Sequence, residues 1–348
     1  QAGTCPHRLL RGLTMPAHMR RAVWLLGLCQ CILWGVLYYS FSVLLVPMEA
    51  SLALSRTAVA GAFSVGLLAM AVLAPVVGRW LDRDHAANVT RIGMALAALG
   101  LGIVASAQGA ATLYLGWLCM GTAMACLLYE PAFALVARAV DDDMHRVRAL
   151  AAVTVMGGLA STIFLPVVSA LIEALGWRST ALVCAGAVLL AASIMEVWVV
   201  PSLPASGVVQ KRVPSPNSGK WPRHMRTLVA IFASGTLASM ALTTLLIPLL
   251  LQRGVAPSVA ALVLAAFGIA QLPGRVWLLR GRKGIPTQLL KTWPIALQVA
   301  GLIVVTLARS PWLIAGGVAI FGLGSGMHTL ARPCLVQRLY GAAEVGRW

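Results

Sequence analysis

Three cations set in oily surroundings carry most of the chemistry this chain can offer. Arg275 follows Pro273-Gly274 near one end of an apolar run, and Arg332 lies inside another, with His328 four residues before it. Residues four apart share a helix face, so His328 and Arg332 act from one side. A guanidinium held away from water can grip a carboxylate through two parallel hydrogen bonds. A histidine beside it either hydrogen-bonds or carries a proton. The chemistry on offer is recognition of a small organic anion, with Gln271 as hydrogen-bond partner of Arg275. Plainer roles stand beside these: Arg275 as part of the cation cluster with Arg280, Arg282 and Lys283, Arg332 as a gate cation, and His328 as a hydrogen-bonded core residue.

Gln30, Trp34, Tyr38 and Phe41 follow one another at spacings of four, four and three, a polar and aromatic stripe down one helix face. Lipid does not require a glutamine, so the stripe is expected either to line a small-molecule cavity or to pack helices. Glu130 sits deep in an apolar run, where a charge must pair, face water or be protonated. It is read as a gate residue, paired with an arginine such as Arg83 or Arg138, with substrate or proton coupling as the sharper alternative. Asp82 and Arg83 stand side by side at a loop mouth, where a carboxylate and a guanidinium can pin two helix ends in one state and release them in another. Gly78, just before them, is expected to let its helix approach a neighbour closely. Gln298 is expected to act as interhelical glue.

Other chemistries find no footing. There is no His-Glu-x-x-His, no Cys/His ligand cluster and no nucleophile–base pair, so neither an enzyme nor a metal or cofactor site is expected. Cys29 and Cys31, two of seven cysteines, are two apart and face different directions on a helix. Gly219-Lys220 lacks the remainder of a phosphate loop, and Gly322-x-Gly324-x-Gly326 lies within an apolar run, where close helix packing explains it. Gly157-Gly158 with Ser161 reads the same way.

The elements that must position these residues are transmembrane helices. The chain is 59% hydrophobic and 11% charged, with a mean hydropathy of +0.86. A helix needs roughly 20 apolar residues to cross a hydrocarbon layer about 30 Å thick. Ten such runs occur, near 22–46, 58–77, 91–108, 111–137, 149–173, 180–200, 227–251, 258–279, 290–308 and 311–336. They are continuous rather than alternating, which excludes a membrane barrel. Of the 27 Lys and Arg, Arg56, Arg178, Arg253 and Arg309 fall on one side and Arg332 within a run; the others gather on the opposite side. Cations resist translocation, so that side and the N-terminus are placed in the cytoplasm, in an inner or plasma membrane. The same bias accounts for the net charge of +17 without nucleic acid and predicts contact with anionic lipid headgroups.

Residues 201–226 are rich in Pro, Ser and cations and read as a cytoplasmic linker. The division is therefore a segment 1–21, a six-helix bundle 22–200, the linker 201–226 and a four-helix bundle 227–348. The two parts echo each other: Ala74-Pro75-Val76-Val77-Gly78-Arg79 against Ala270-Gln271-Leu272-Pro273-Gly274-Arg275, and Glu130-Pro131 against Arg332-Pro333.

On these features the sequence resembles the major facilitator superfamily. Gly78-Arg79-Trp80-Leu81-Asp82-Arg83 matches that family's Gly-x-x-x-Asp-Arg loop, and Gly176-Trp177-Arg178 is another frequent feature. The resemblance implies an all-α bundle of two pseudo-symmetric halves, usually of twelve spans, so the chain is expected to hold ten of twelve. It implies gate and latch roles for Asp82 and Arg83. Tyr129-Glu130-Pro131, Ala331-Arg332-Pro333 and the arginine of the eighth span are most similar to the monocarboxylate and oxalate/formate branch. There an Asp precedes the substrate-binding arginine by four residues; here Gln271 stands in its place, which removes an acid for proton coupling and leaves anion binding. Trp117 stands where many proton-driven antiporters of the family carry an arginine. The expectation is a monomeric secondary transporter of a small organic anion, with a proton or counter-substrate as co-transported partner. An efflux pump for amphipathic compounds and a non-transporting sensor are the alternatives.

Overall fold

The computed structural model describes residues 15–83, 85–140, 143–204, 223–280 and 287–340, and among these there is helix and no strand. We number the helices α1 (Ala17–Leu52), α2 (Arg56–Asp82), α3 (Ala86–Ala105), α4 (Ala110–Ala139), α5 (143–175), α6 (177–202), α7 (Arg223–Gln252), α8 (Pro257–Arg280), α9 (Thr287–Leu307) and α10 (Pro311–Tyr340). Eight helical stretches are long and apolar enough to cross a membrane, and the longest, Arg148–Ser202, holds both α5 and α6. The linker expected at 201–226 lies largely outside the described residues, and residues 1–14 lie wholly outside them.

Local chemistry sets the turns. Ala53 ends α1 in the left-handed region, and the Ser55 hydroxyl caps α2 by accepting from the Ala58 N–H at 3.2 Å. Gly176 divides α5 from α6 with φ 76° and ψ 161°, a conformation that side chains oppose. Polar contacts show that the chain reverses there. Arg178 reaches Ser51 at 2.9 Å and the Ala107 carbonyl at 2.8 Å, at the cation-poor end, while Glu196 pairs with Arg91 at 2.5 Å, at the cation-rich end.

The helices bury polar and aromatic residues inward and present Leu68, Val72, Leu237, Leu307 and Trp312 outward, as a bundle dissolved in lipid does. Close crossings are made by glycines. In α10, Gly322 and Gly326 lie against α8 and Gly324 against α9, so this stripe is packing, as expected. Gly78 corrects an expectation: a methyl there would meet nothing within 4 Å among the described residues. The close approach of α2 is made instead by Gly66, which faces Gly121 of α4.

The first six helices meet the last four along α1 and α5 on one side and α7 and α8 on the other. The Ser42 hydroxyl donates to the Thr243 carbonyl at 2.5 Å, and the Thr162 hydroxyl donates to the Ala265 carbonyl at 3.2 Å. Gly268 of α8 lies directly against Ser161 and Thr162.

A methyl at Gly121 would fall within 2.6 Å of the Gly66 Cα, and backbone cannot move aside as a side chain can. Gly121→Ala should therefore lower stability by about 1–3 kcal/mol, seen as a reduced melting temperature in detergent. Gly78→Ala should leave the melt unchanged.

Candidate functional site

The site grows out of a break in α4. Pro131 has no N–H, so it cannot donate to the Leu127 carbonyl four residues earlier, and the helix parts at Leu128 (φ −81°, ψ −154°). A buried carbonyl without a donor is costly. Gln30 of α1, itself fully buried, supplies the bond: its Nε2 donates to Leu127 O at 2.7 Å. Gln30 thus fixes the direction in which the second segment, Tyr129–Ala139, leaves the break. Glu130 sits in the first turn of that segment, exposed, where the positive end of a helix favours a carboxylate. Among the described residues no ion pair joins it to Arg83 or Arg138, the partners expected of it. Arg138 donates instead to the Leu81 carbonyl, tying α4 to the end of α2.

A second irregularity lies opposite, in α1. Residues Gly35–Tyr39 form a π-helical turn, which inserts one residue and changes which side chains share a face. The expected stripe divides as a result. Trp34 faces Tyr129, with ring centroids 4.8 Å apart, and Tyr38 lies 3.4 Å from the Thr243 hydroxyl of α7. Phe41 turns away and stacks on Phe63 at 4.2 Å, with Trp117 edge-on to both. Tyr39 takes the place Phe41 leaves and lies beside Gln271, Ser161 and Arg275.

Arg275 is the centre. It is 3% exposed and reaches from α8 across to α5, where Nη1 donates to the Thr154 carbonyl. Its Nη2 donates to Gln271 Oε1 at 2.5 Å, the pairing the spacing predicts. The Tyr129 hydroxyl converges on the same carbonyl at 3.4 Å. The lodging depends on two glycines: a side chain at Gly158 would fall on the guanidinium, 2.8 Å from its Cζ, and one at Gly157 would fall on the Tyr129 hydroxyl. Among the described residues, two buried nitrogens around this cluster have no hydrogen-bond partner, Arg275 Nε and Trp34 Nε1.

The other candidates lie elsewhere. His328 turns towards α7, donating from Nε2 to the Phe232 carbonyl at 3.1 Å, with its ring 4.8 Å from that of Phe232. Gln298 is buried and its amide oxygen lies close to Gly235, where His328 also comes, but among the described residues the amide makes no interhelical hydrogen bond of the kind expected of it. Arg83 is exposed at the end of α2. The side chains of Asp82 and Arg332 lie outside the described residues. Among the described residues no three His, Cys, Asp or Glu gather to hold a metal ion. Tyr39, Thr154 and Thr243 carried no signal in the sequence, and Gly157, Gly158 and Ser161 read only as packing; the glycine pair beside a serine was the trace of the site.

The family model of the Major Facilitator Superfamily matches residues 23–347. No curated protein matches the chain. Among solved structures, it is similar to a bacterial homolog of the human lysosomal transporter Spinster in its inward-facing, unoccupied conformation. The TM-score is 0.65 at 15% identity, with 96% of this chain and 78% of that one covered. The inward-facing, occupied conformation of the Spinster homolog gives 0.63 at 15% identity, with 99% and 77% covered.

Gln30→Leu keeps the volume and strands the Leu127 carbonyl, so a loss of about 1–3 kcal/mol in thermal stability is expected. Gly158→Ala should expel the guanidinium from α5, and a second change, Arg275→Lys, should restore the melting temperature by removing the colliding atoms. Additive losses in the double variant would show that the two residues do not share that space.

Proposed function

The chain belongs to the Major Facilitator Superfamily, and from that premise we propose that this integral, multi-pass membrane protein is a secondary transporter whose cargo is a small organic anion. The observation that carries the reading is Arg275. A guanidinium taken out of water is costly unless an opposite charge accompanies it. Here it is 3% exposed, and among the described residues its partners are a backbone carbonyl and a neutral amide. An arriving carboxylate supplies the missing charge and finds Nε free to donate. The carbonyl and amide hold the guanidinium in place, and the anion replaces weak acceptors with a strong one.

The layout supports alternating access between two pseudo-symmetric halves, α1–α6 and α7–α10, joined by the linker 201–226. Contacts between them run through Ser42, Thr162, Ala265 and Thr243, while Glu130 is exposed towards the cation-rich end. With cations kept inside, that end and the N-terminus face the cytoplasm, and the site opens inward. Gln271 holds the place beside Arg275 where an acid could otherwise take up and release a proton, and an amide cannot do so. The drive therefore comes through a counter-substrate, or through a proton at another group such as Glu130 or His328. Asp82 and Arg83 serve the gate at the cation-rich end, and Arg332 and His328 are further cations of the C-terminal half that an anion could meet.

Uptake of radiolabelled carboxylates into proteoliposomes tests the reading. Arg275→Ala should reduce transport roughly 10- to 100-fold, in line with loss of a charged hydrogen-bond pair. Gln271→Glu should also reduce it, because an internal carboxylate would then compete for the guanidinium. Unchanged transport by Arg275→Ala would eliminate this residue as the anion ligand.

A further inference from the structure

Resting on the anion reading of Arg275, we propose that the site selects carboxylates that carry an aromatic ring over short aliphatic ones. The cation does not stand in a polar cavity. Aromatic rings make a continuous lane from the exposed Glu130 to the guanidinium. Phe133 and Tyr129, one turn apart on the α4 segment, are stacked at 5.1 Å with planes 11° apart. Tyr129 meets Trp34 at 4.8 Å, Trp34 meets Tyr38 at 5.3 Å, and Tyr38 meets Tyr39 at 5.1 Å. Phe133, Tyr129 and Trp34 are half-buried, whereas Tyr38, Tyr39 and Arg275 are buried. The lane thus begins in the open and ends at the charge.

The unpaired donors stand at its inner end. Among the described residues Trp34 Nε1 and Arg275 Nε are buried without partners, and Tyr129 lies against both side chains. A benzoate-like acid matches both parts. Its carboxylate accepts from Arg275 Nε and the indole N–H, and its ring takes a place among rings that already meet face to face and edge to face. Offset and edge-on ring contacts favour a planar aromatic body over a saturated one of the same size. A short acid such as acetate satisfies the charge and leaves the ring lane unused.

The broken α4 helix gives the lane a means of admission. The segment carrying Tyr129 and Phe133 is joined to the rest of α4 only through Leu128, where the helical bond is missing, so those two rings can move as one body. Gln30, which holds the break, acts on the rings through the backbone and is a positioning residue.

Binding of benzoate, cyclohexanecarboxylate and acetate to the protein in lipid nanodiscs, followed by calorimetry and by transport in proteoliposomes, tests the inference. Benzoate should bind about tenfold or more tightly than acetate, with cyclohexanecarboxylate between them. Trp34→Ala should bring benzoate and acetate within about threefold of each other, acetate losing only the indole hydrogen bond while benzoate loses that bond and the ring contact; a retained melting temperature shows that the variant folds. Trp34→Phe keeps a ring and should keep most of the preference. Equal affinity for benzoate and acetate, or a preference that survives Trp34→Ala, would overturn the aromatic selectivity while Arg275 remains the anion ligand. Binding of all three acids that does not change in Arg275→Lys, or no binding of any, would overturn both.

Discussion

A guanidinium taken into a low-dielectric bundle must be matched by charge or by many hydrogen bonds, and at Arg275 it is matched by neither in full. Thr154 and Gln271 offer two neutral oxygens to a group with five N–H donors, and among the described residues Nε has no partner at all. Such a group is held in place by geometry more than by energy: Gly158 makes room for it, Gln271 aims it, and α5 receives it across the line where the first six helices meet the last four. That arrangement is well suited to a transporter, because a ligand that completes the charge balance strengthens the junction between two parts that must move against each other. Binding energy is then available in one alignment of the helices and withdrawn in another.

Backbone irregularities, more than side chains alone, build the surroundings. A proline strands a carbonyl in α4, a glutamine from α1 rescues it, and the resulting break points Tyr129 at Thr154. A π-turn in α1 inserts a residue and brings Tyr39 to the guanidinium while sending Phe41 into the packing of α2 and α4. Each device lies in helices that would otherwise be uniform apolar rods, and each satisfies its freed polar groups within the bundle, as lipid requires.

Fold class was legible because lipid imposes a coarse rule: long, continuous apolar runs with charge confined to the gaps between them. The break at Pro131 was not read from the sequence, where 111–137 passes as one continuous span, whereas Gln271 lies beside Arg275 as residues four apart on a helix do. The π-turn had no such signature, so the single stripe drawn through Gln30, Trp34, Tyr38 and Phe41 on a regular helix divides in the structure: Gln30 and Trp34 meet α4, Tyr38 reaches α7, and Phe41 packs between α2 and α4. Gly78 was misread because a glycine's value in packing depends on what lies opposite, and nothing described lies within reach of it. Gly157 and Gly158 were underread for the converse reason: what they face is not another helix backbone but the polar tips of Tyr129 and Arg275, which come from elsewhere in the chain.

The central claim is that Arg275 is the charge an organic anion completes, and a density map of the protein saturated with benzoate addresses it most directly. The account predicts carboxylate density about 3 Å from Arg275 Nε, with the guanidinium turned from the Thr154 carbonyl towards it. A benzoate resolved elsewhere in the bundle, with Arg275 still lodged on Thr154 and Gln271, would contradict it.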